Sequence, residues 1–262
     1  MIKTLGIGAS ALNANQTYLD SAANNIANVN TEEYKAEKTR FADLLYDYYP
    51  RGDSLSAKAG DAKAEDSLGN GVRISEVKKG FNPGSIKETS NPMDLAIDGF
   101  GFIKVISPNE EECYSRGGGL TVNEDGVIVD ATGNKIDPEM QLPEGFQNFS
   151  ISPSGQVTVI NSAGRKEEIG NIPIYNFNNP GGLIALDNKL YVQTEQSGMA
   201  VEGVPGTTGN GSFRQGFTEM SNVDLIQEMV RLMEAQRAYQ INTRSIKTAD
   251  EMWGMANNLR GK

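Results

Sequence analysis

Apolar residues recur at alternating steps of three and four along the start of the chain, at Ile2, Leu5, Ala9, Leu12, Leu19, Ala23 and Ile26, with Gln16 the one polar interruption. That spacing is the seam of a helix packed lengthwise on another helix. No proline breaks residues 1–28, so the pattern predicts an amphipathic helix of about four turns or longer. Ala9, Ala11, Ala14, Ala22, Ala23 and Ala27 leave room for a second helix to approach closely. The far end of the chain offers that partner. Leu225, Leu232, Ala235, Tyr239, Ile246, Ala249, Trp253 and Ala256 share one three-four stripe, and Ile226, Met229, Val230 and Met233 widen its first half. Ser221, Asn222 and Asp224 are residues that start helices, and Asp224 and Glu228 put negative charge where a helix N-terminus favours it. A long C-terminal helix is predicted from there.

Between the two helical ends the periodicity shortens to two. All ten prolines lie between Pro50 and Pro205, and most of the 29 glycines fall between 52 and 216. Alternating runs at 95–97, 102–106, 126–129, 156–160 and 189–192 are separated by Gly, Asn and Asp turns. The fold class is therefore α+β: N- and C-terminal helices pairing as a coiled-coil-like region, with a central all-β domain. Residues 47–72 are rich in Gly, Ala, Ser, Lys and Asp and poor in core-forming residues, which predicts an extended or hairpin segment ordered by its neighbours. The expected divisions are a terminal helical assembly domain from 1–30 and 222–262, a linker region at 31–80, and a β domain at 81–221.

Composition then removes several classes of function. With 24 Lys and Arg against 34 Asp and Glu, the net charge of -10 repels phosphate, and no basic patch offsets it, so nucleic acid is not an expected partner. The absence of histidine removes the commonest general base and zinc ligand. The lone Cys113 has no partner for an internal disulfide and reads as a small buried hydrophobe. Polar residues within the first 16 break up the apolar core a cleaved signal peptide needs, and no window approaches the ~20 apolar residues of a membrane span. Export without a cleaved signal is expected.

The chemical motifs are weak. Gly117-Gly118-Gly119 lacks the following Gly-Lys-Ser/Thr of a phosphate loop and reads as a glycine-rich hairpin turn. Asn123-Glu124-Asp125-Gly126 and Asp130-Ala131-Thr132-Gly133-Asn134 lack the spacing and closing Glu of a calcium loop and read as turns. Arg51-Gly52-Asp53 matches an adhesion tripeptide of the kind that recurs by chance. No catalytic residue, metal ligand set or cofactor is assigned.

The stretch Ala23-Asn24-Asn25-Ile26-Ala27-Asn28-Val29-Asn30-Thr31 followed by Tyr34-Lys35 resembles the N-terminal signature of the flagellar basal-body rod and hook family. Ser221-Asn222-Val223-Asp224, Glu228-Met229-Val230, Gln236-Arg237-Ala238-Tyr239-Gln240-Ile241-Asn242 and Thr248-Ala249-Asp250-Glu251-Met252 resemble its C-terminal signature. Asn91 to Phe102 looks like the strand and turn opening the family's β domain, and Tyr114-Ser115-Arg116 with Gly118 like the next hairpin. Two positions depart from the pattern. Glu33 stands where the family has glycine, which puts the turn into 36–46 in question, and Leu120 replaces the usual Phe at some loss of packing area.

The resemblance implies a structural subunit that stacks helically into a rigid hollow rod enclosing an export channel. The length and single β body fit the distal rod group, the proximal rod protein of similar length being the alternative. Implied partners are further copies of the chain, other rod proteins and the hook protein, surrounding ring proteins and the flagellar export apparatus. The implied location is the basal body, in the periplasm or cell-wall zone. The candidate assembly residues are Ile2, Leu5, Leu12, Leu19, Asn24, Asn25, Ile26 and Asn28 at one end. At the other they are Leu225, Ile226, Met229, Leu232, Met233, Tyr239, Ile246 and Trp253. Gln227, Arg231, Glu234, Arg244, Asn257 and Asn258 suit either a wetted channel face or an ordinary solvated one. A monomeric extracellular β-rich binding module is the competing class, and assembly discriminates between them.

Overall fold

The computed structural model describes residues 2–48, 67–143, 145–146, 148–161, 164–186, 189–207 and 209–260. Arg51-Gly52-Asp53 and most of the polar 47–72 segment lie outside the described residues. Helix α1 spans Ile2–Ala27 and helix α2 spans Leu225–Arg260. Strands fill much of the chain between them. The α+β class and the helix–β–helix order read from the two periodicities therefore hold.

Two compact units divide the chain. The first contains residues 1–26, 37–78 and 225–262. In it, strands Glu37–Asp43 and Val72–Lys79 pair as a two-stranded ribbon, extended by the short pair Asp47–Tyr48 with Ser67–Leu68. Both helices belong to this unit.

The second unit contains residues 27–36 and 79–224. Its main sheet has nine antiparallel strands among the described residues, with Lys135–Ile136 at the centre and Ile184–Ala185 and Ser212–Gln215 at the edges. The alternating strands put Leu95, Ile97, Ile103, Val105, Leu120, Ile128, Val157, Val159 and Phe213 in one buried core. Leu120 is buried there, so the smaller side chain in place of the family's Phe is accommodated. Cys113 is also fully buried. A second cluster of Phe102, Tyr114, Phe177 and Tyr191 is built from edge-to-face rings, as the quadrupoles of aromatic rings favour.

One expectation is corrected. Gly117-Gly118-Gly119 is no turn: it opens strand Gly117–Val122, which lies between Asp94–Asp98 and Ile128–Asp130 in the main sheet. Gly117 and Gly118 are needed for close approach. A Cβ on Gly117, at φ 125, would stand 2.4 Å from the Leu95 carbonyl oxygen. The other two loops are turns as expected, with Asn123 Oδ1 accepting from the amides of Asp125 and Val127 and Asp130 Oδ1 from those of Thr132 and Asn134.

Candidate functional site

The helices α1 and α2 pair antiparallel. Gly8 faces Ile246, and Tyr18 lies in the field of Arg231 and Glu228. The approach at Gly8 is so close that a Cβ there would stand 2.7 Å from Ile246 Cγ1. Burial along the pair is greatest at Ala14, Ser21, Ala22 and Asn25 of α1 and at Glu228, Ala235 and Ala249 of α2. This differs from the predicted seam of α1, whose Ala9, Gln16 and Ala23 are exposed. The physical reason is that α1 has two partners: Gly8 approaches Ile246 of α2 while Ser10 and Asn25 bond the ribbon at Val72 and Glu37, so burial is shared between both contacts and Leu5, Leu12, Leu19 and Ile26 stay half-buried.

On α2, Leu232 and Ile246 are half-buried while Leu225, Met229, Met233, Tyr239 and Trp253 remain exposed. Ile226 is 75% and Ile241 63% exposed, values that a finished core helix does not show. Apolar side chains thus flank the pair on faces that α1 does not cover. Of the polar positions proposed for a wetted face, Arg231 is engaged by Glu228 at 2.6 Å, and Gln227, Glu234, Arg244 and Asn257 are exposed.

The asparagines of the N-terminal signature divide their roles. Asn25, buried at the end of α1, receives the Glu37 amide at 2.8 Å and donates to the Glu37 carbonyl at 2.9 Å, so one side chain clamps the ribbon strand to the helix. Asn28 caps the turn that follows, its Oδ1 accepting from the Thr31 hydroxyl at 3.1 Å. Asn24 is exposed. Asn222, read as a helix-start residue, does other work: α2 begins at Leu225, and Asn222 accepts from the Ala36 amide at 2.7 Å and donates to the carbonyls of Gly80 and Asn82.

Next to Asn222 in the second unit lies a buried ion network that the periodicity could not show. Lys35 Nζ donates to Glu219 Oε1 at 2.8 Å, and Arg116 donates to both carboxylate oxygens of Glu219 at 3.0 and 3.1 Å. The side chains of all three are at most 1% exposed. Further donors reach backbone carbonyls, Lys35 that of Asn82 and Arg116 those of Gly99 and Gly101. Burial pushes the Glu219 carboxyl up, but the Arg116 guanidinium and the Lys35 ammonium outweigh it and hold the group below the usual carboxylate range. Lys35 and Arg116 were legible only as members of quoted motifs, and Glu219 carried no signal of its own.

Three family models match the chain: "Flagella basal body rod protein" at residues 5–35, "Flagellar hook protein FlgE/F/G D1 domain" at 96–159, and "Flagellar basal body rod FlgEFG protein C-terminal" at 214–259. The flagellar basal-body rod protein FlgG of Borreliella burgdorferi is 36% identical over 263 residues, covering 99% of each chain. The chain belongs to the flagellar basal-body rod protein family. The FlgG proteins of Agrobacterium fabrum, 38% identical over 96% of this chain and 97% of its own, and of Bacillus subtilis, 32% identical over 99% and 100%, are similar at full length too. Each of the three matched regions supplies one member of the buried network: Lys35, Arg116 and Glu219 in turn.

Proposed function

We propose that the chain is a structural subunit of the bacterial flagellar basal-body rod, of the distal type, and that it assembles through its paired terminal helices into a helical tube. The observation that carries this reading is the apolar surface that the helix pair leaves open. Ile226, Met229, Met233 and Ile241 are each at least half exposed, although the helix they sit on already has a partner. Patches of that kind mark interaction surfaces. A contact between two unlike surfaces propagates without end when its rotation does not close, which is how a single subunit type builds a filament.

In this reading the helices form the assembly domain, the β domain stiffens the rod, and residues 31–80 connect them. Its partners are further copies of the chain, other rod proteins, the hook protein and surrounding rings, and it is delivered through the flagellar export channel without signal cleavage. No reaction is assigned to it. Full-length similarity to rod proteins favours this over the binding-module reading. Electron microscopy of concentrated purified protein tests it: the native chain is expected to form rods or short helical oligomers, and Met229→Asp with Met233→Asp to remain monomeric. A native chain that stays monomeric at every concentration and in the presence of other rod proteins overturns the proposal.

A further inference from the structure

Beside the Lys35–Glu219–Arg116 network sits an ionisable group that the network does not use. Glu33 is 4% exposed and takes the left-handed conformation, φ 60, that glycine adopts freely and other residues rarely do. Its amide donates to the Glu219 carbonyl at 2.8 Å, and its carboxyl lies over Gly118, where an added Cβ would stand 2.5 Å from Glu33 Oε1. The triple-glycine strand therefore provides the space this side chain fills.

Charged and titratable groups face it from every element around it: Glu32 and Lys35 from its own segment, Arg116, Glu219, Tyr191, and Lys189 at the surface. Asp94 and Asp130 lie at the rim of the same cavity. Arg116 and Lys35 are already committed to Glu219, and no hydrogen bond to the Glu33 carboxyl is seen among the described residues. Ionised, it would be a buried anion beside a second one; neutral, it fits.

We propose that Glu33 is a proton-operated latch, which seats residues 31–36 on the β body when neutral and weakens that seating when ionised. The segment it controls holds Lys35 and Ala36, and the Ala36 amide binds Asn222, so the latch acts where the two chain stretches leading to the terminal helices meet. Burial, with Glu219 and Glu32 adding to it against Lys189 and Arg116, pushes the Glu33 carboxyl up from 4.5 to about 7. A carboxyl whose folded value is raised adds stability that is fully present below its open-chain value and lost as pH rises through the folded one. The seating is therefore firm in mildly acidic surroundings and loosens as pH rises through about 7.

Amide exchange of residues 31–36 in the full chain, corrected for intrinsic rates, tests this between about pH 5.5 and 8. The native chain is expected to lose protection roughly 30-fold across that range, and Glu33→Gln to lose none. A flat native profile, or the same loss in Glu33→Gln, overturns the latch. Should Glu33→Gln not fold, Glu33→Gly carries the same comparison, since it removes both the carboxyl and the left-handed strain. A direct NMR titration of the Glu33 carboxyl is expected near pH 7, and a midpoint in the ordinary carboxylate range overturns the proposal independently.

Discussion

Lys35 and Glu219 are 184 residues apart in the chain and 2.8 Å apart in the fold, with both side chains withdrawn from solvent. Taking charges out of water is costly, and the arrangement holds because Arg116 adds a second cation and four backbone groups, the Gly84 amide and the carbonyls of Asn82, Gly99 and Gly101, complete the network. Glu219→Ala should thus destabilise the β body by about 3–5 kcal/mol, because it strands two buried cations. Denaturant unfolding followed by near-ultraviolet circular dichroism measures this; a loss under 1 kcal/mol would mean the network is dispensable.

The pH dependence of the same body should be bell-shaped. Glu219 has a depressed folded pKa, so its contribution is present above its open-chain value of 4.5 and lost as pH falls below that. Glu33, raised to about 7, works in the opposite sense and removes stability as pH rises. Melting temperature measured across pH should be highest near the shared open-chain value of 4.5 and fall on either side, and Glu33→Gln should flatten the alkaline side alone.

Gly8→Leu should force the terminal helices apart, since even a Cβ at that position meets Ile246 at 2.7 Å. A loss of about 1–3 kcal/mol in the helical unit is expected, as for overpacked cores. Adding Ile246→Ala should recover part of it, and the size of that recovery in a double-mutant cycle reports the contact directly. Strict additivity of the two changes would place the helices differently.

Charges at two kinds of helix position should separate folding from assembly. Leu12→Asp or Leu232→Asp, at half-buried sites, should weaken the helix pair by on the order of 3 kcal/mol and abolish rods. Ile226→Asp, at a site 75% exposed, should abolish rods while leaving helix content and melting temperature unchanged. Normal motility in a strain carrying Ile226→Asp would exclude that face from the assembly contact.

Gly118→Ala is expected to destabilise the native chain by about 1–3 kcal/mol, through its φ of 113 and the collision with Glu33. In the Glu33→Gly background the collision disappears and only the backbone strain remains, so the loss should shrink. An equal loss in both backgrounds would show that the Glu33 carboxyl does not occupy that space.

The sequence alone determined what local periodicity encodes. Three-four spacing without proline marks α1 and α2, two-residue alternation marks strands such as Gln156–Ile160, and the Asn-rich and Arg-Ala-Tyr motifs mark the family. Periodicity could not choose between adjacent columns of α1, because Leu12 and Leu19 suggested one seam while the folded helix buries Ala14 and Ala22 most and meets both α2 and the ribbon. Nor could it place Gly117-Gly118-Gly119 inside a sheet, since glycine's meaning depends on what passes over it. The Lys35–Glu219–Arg116 network and the seat of Glu33 were decided by tertiary structure alone: an ion pair has no period, and residues 184 positions apart are brought together only by the fold of the strands between them.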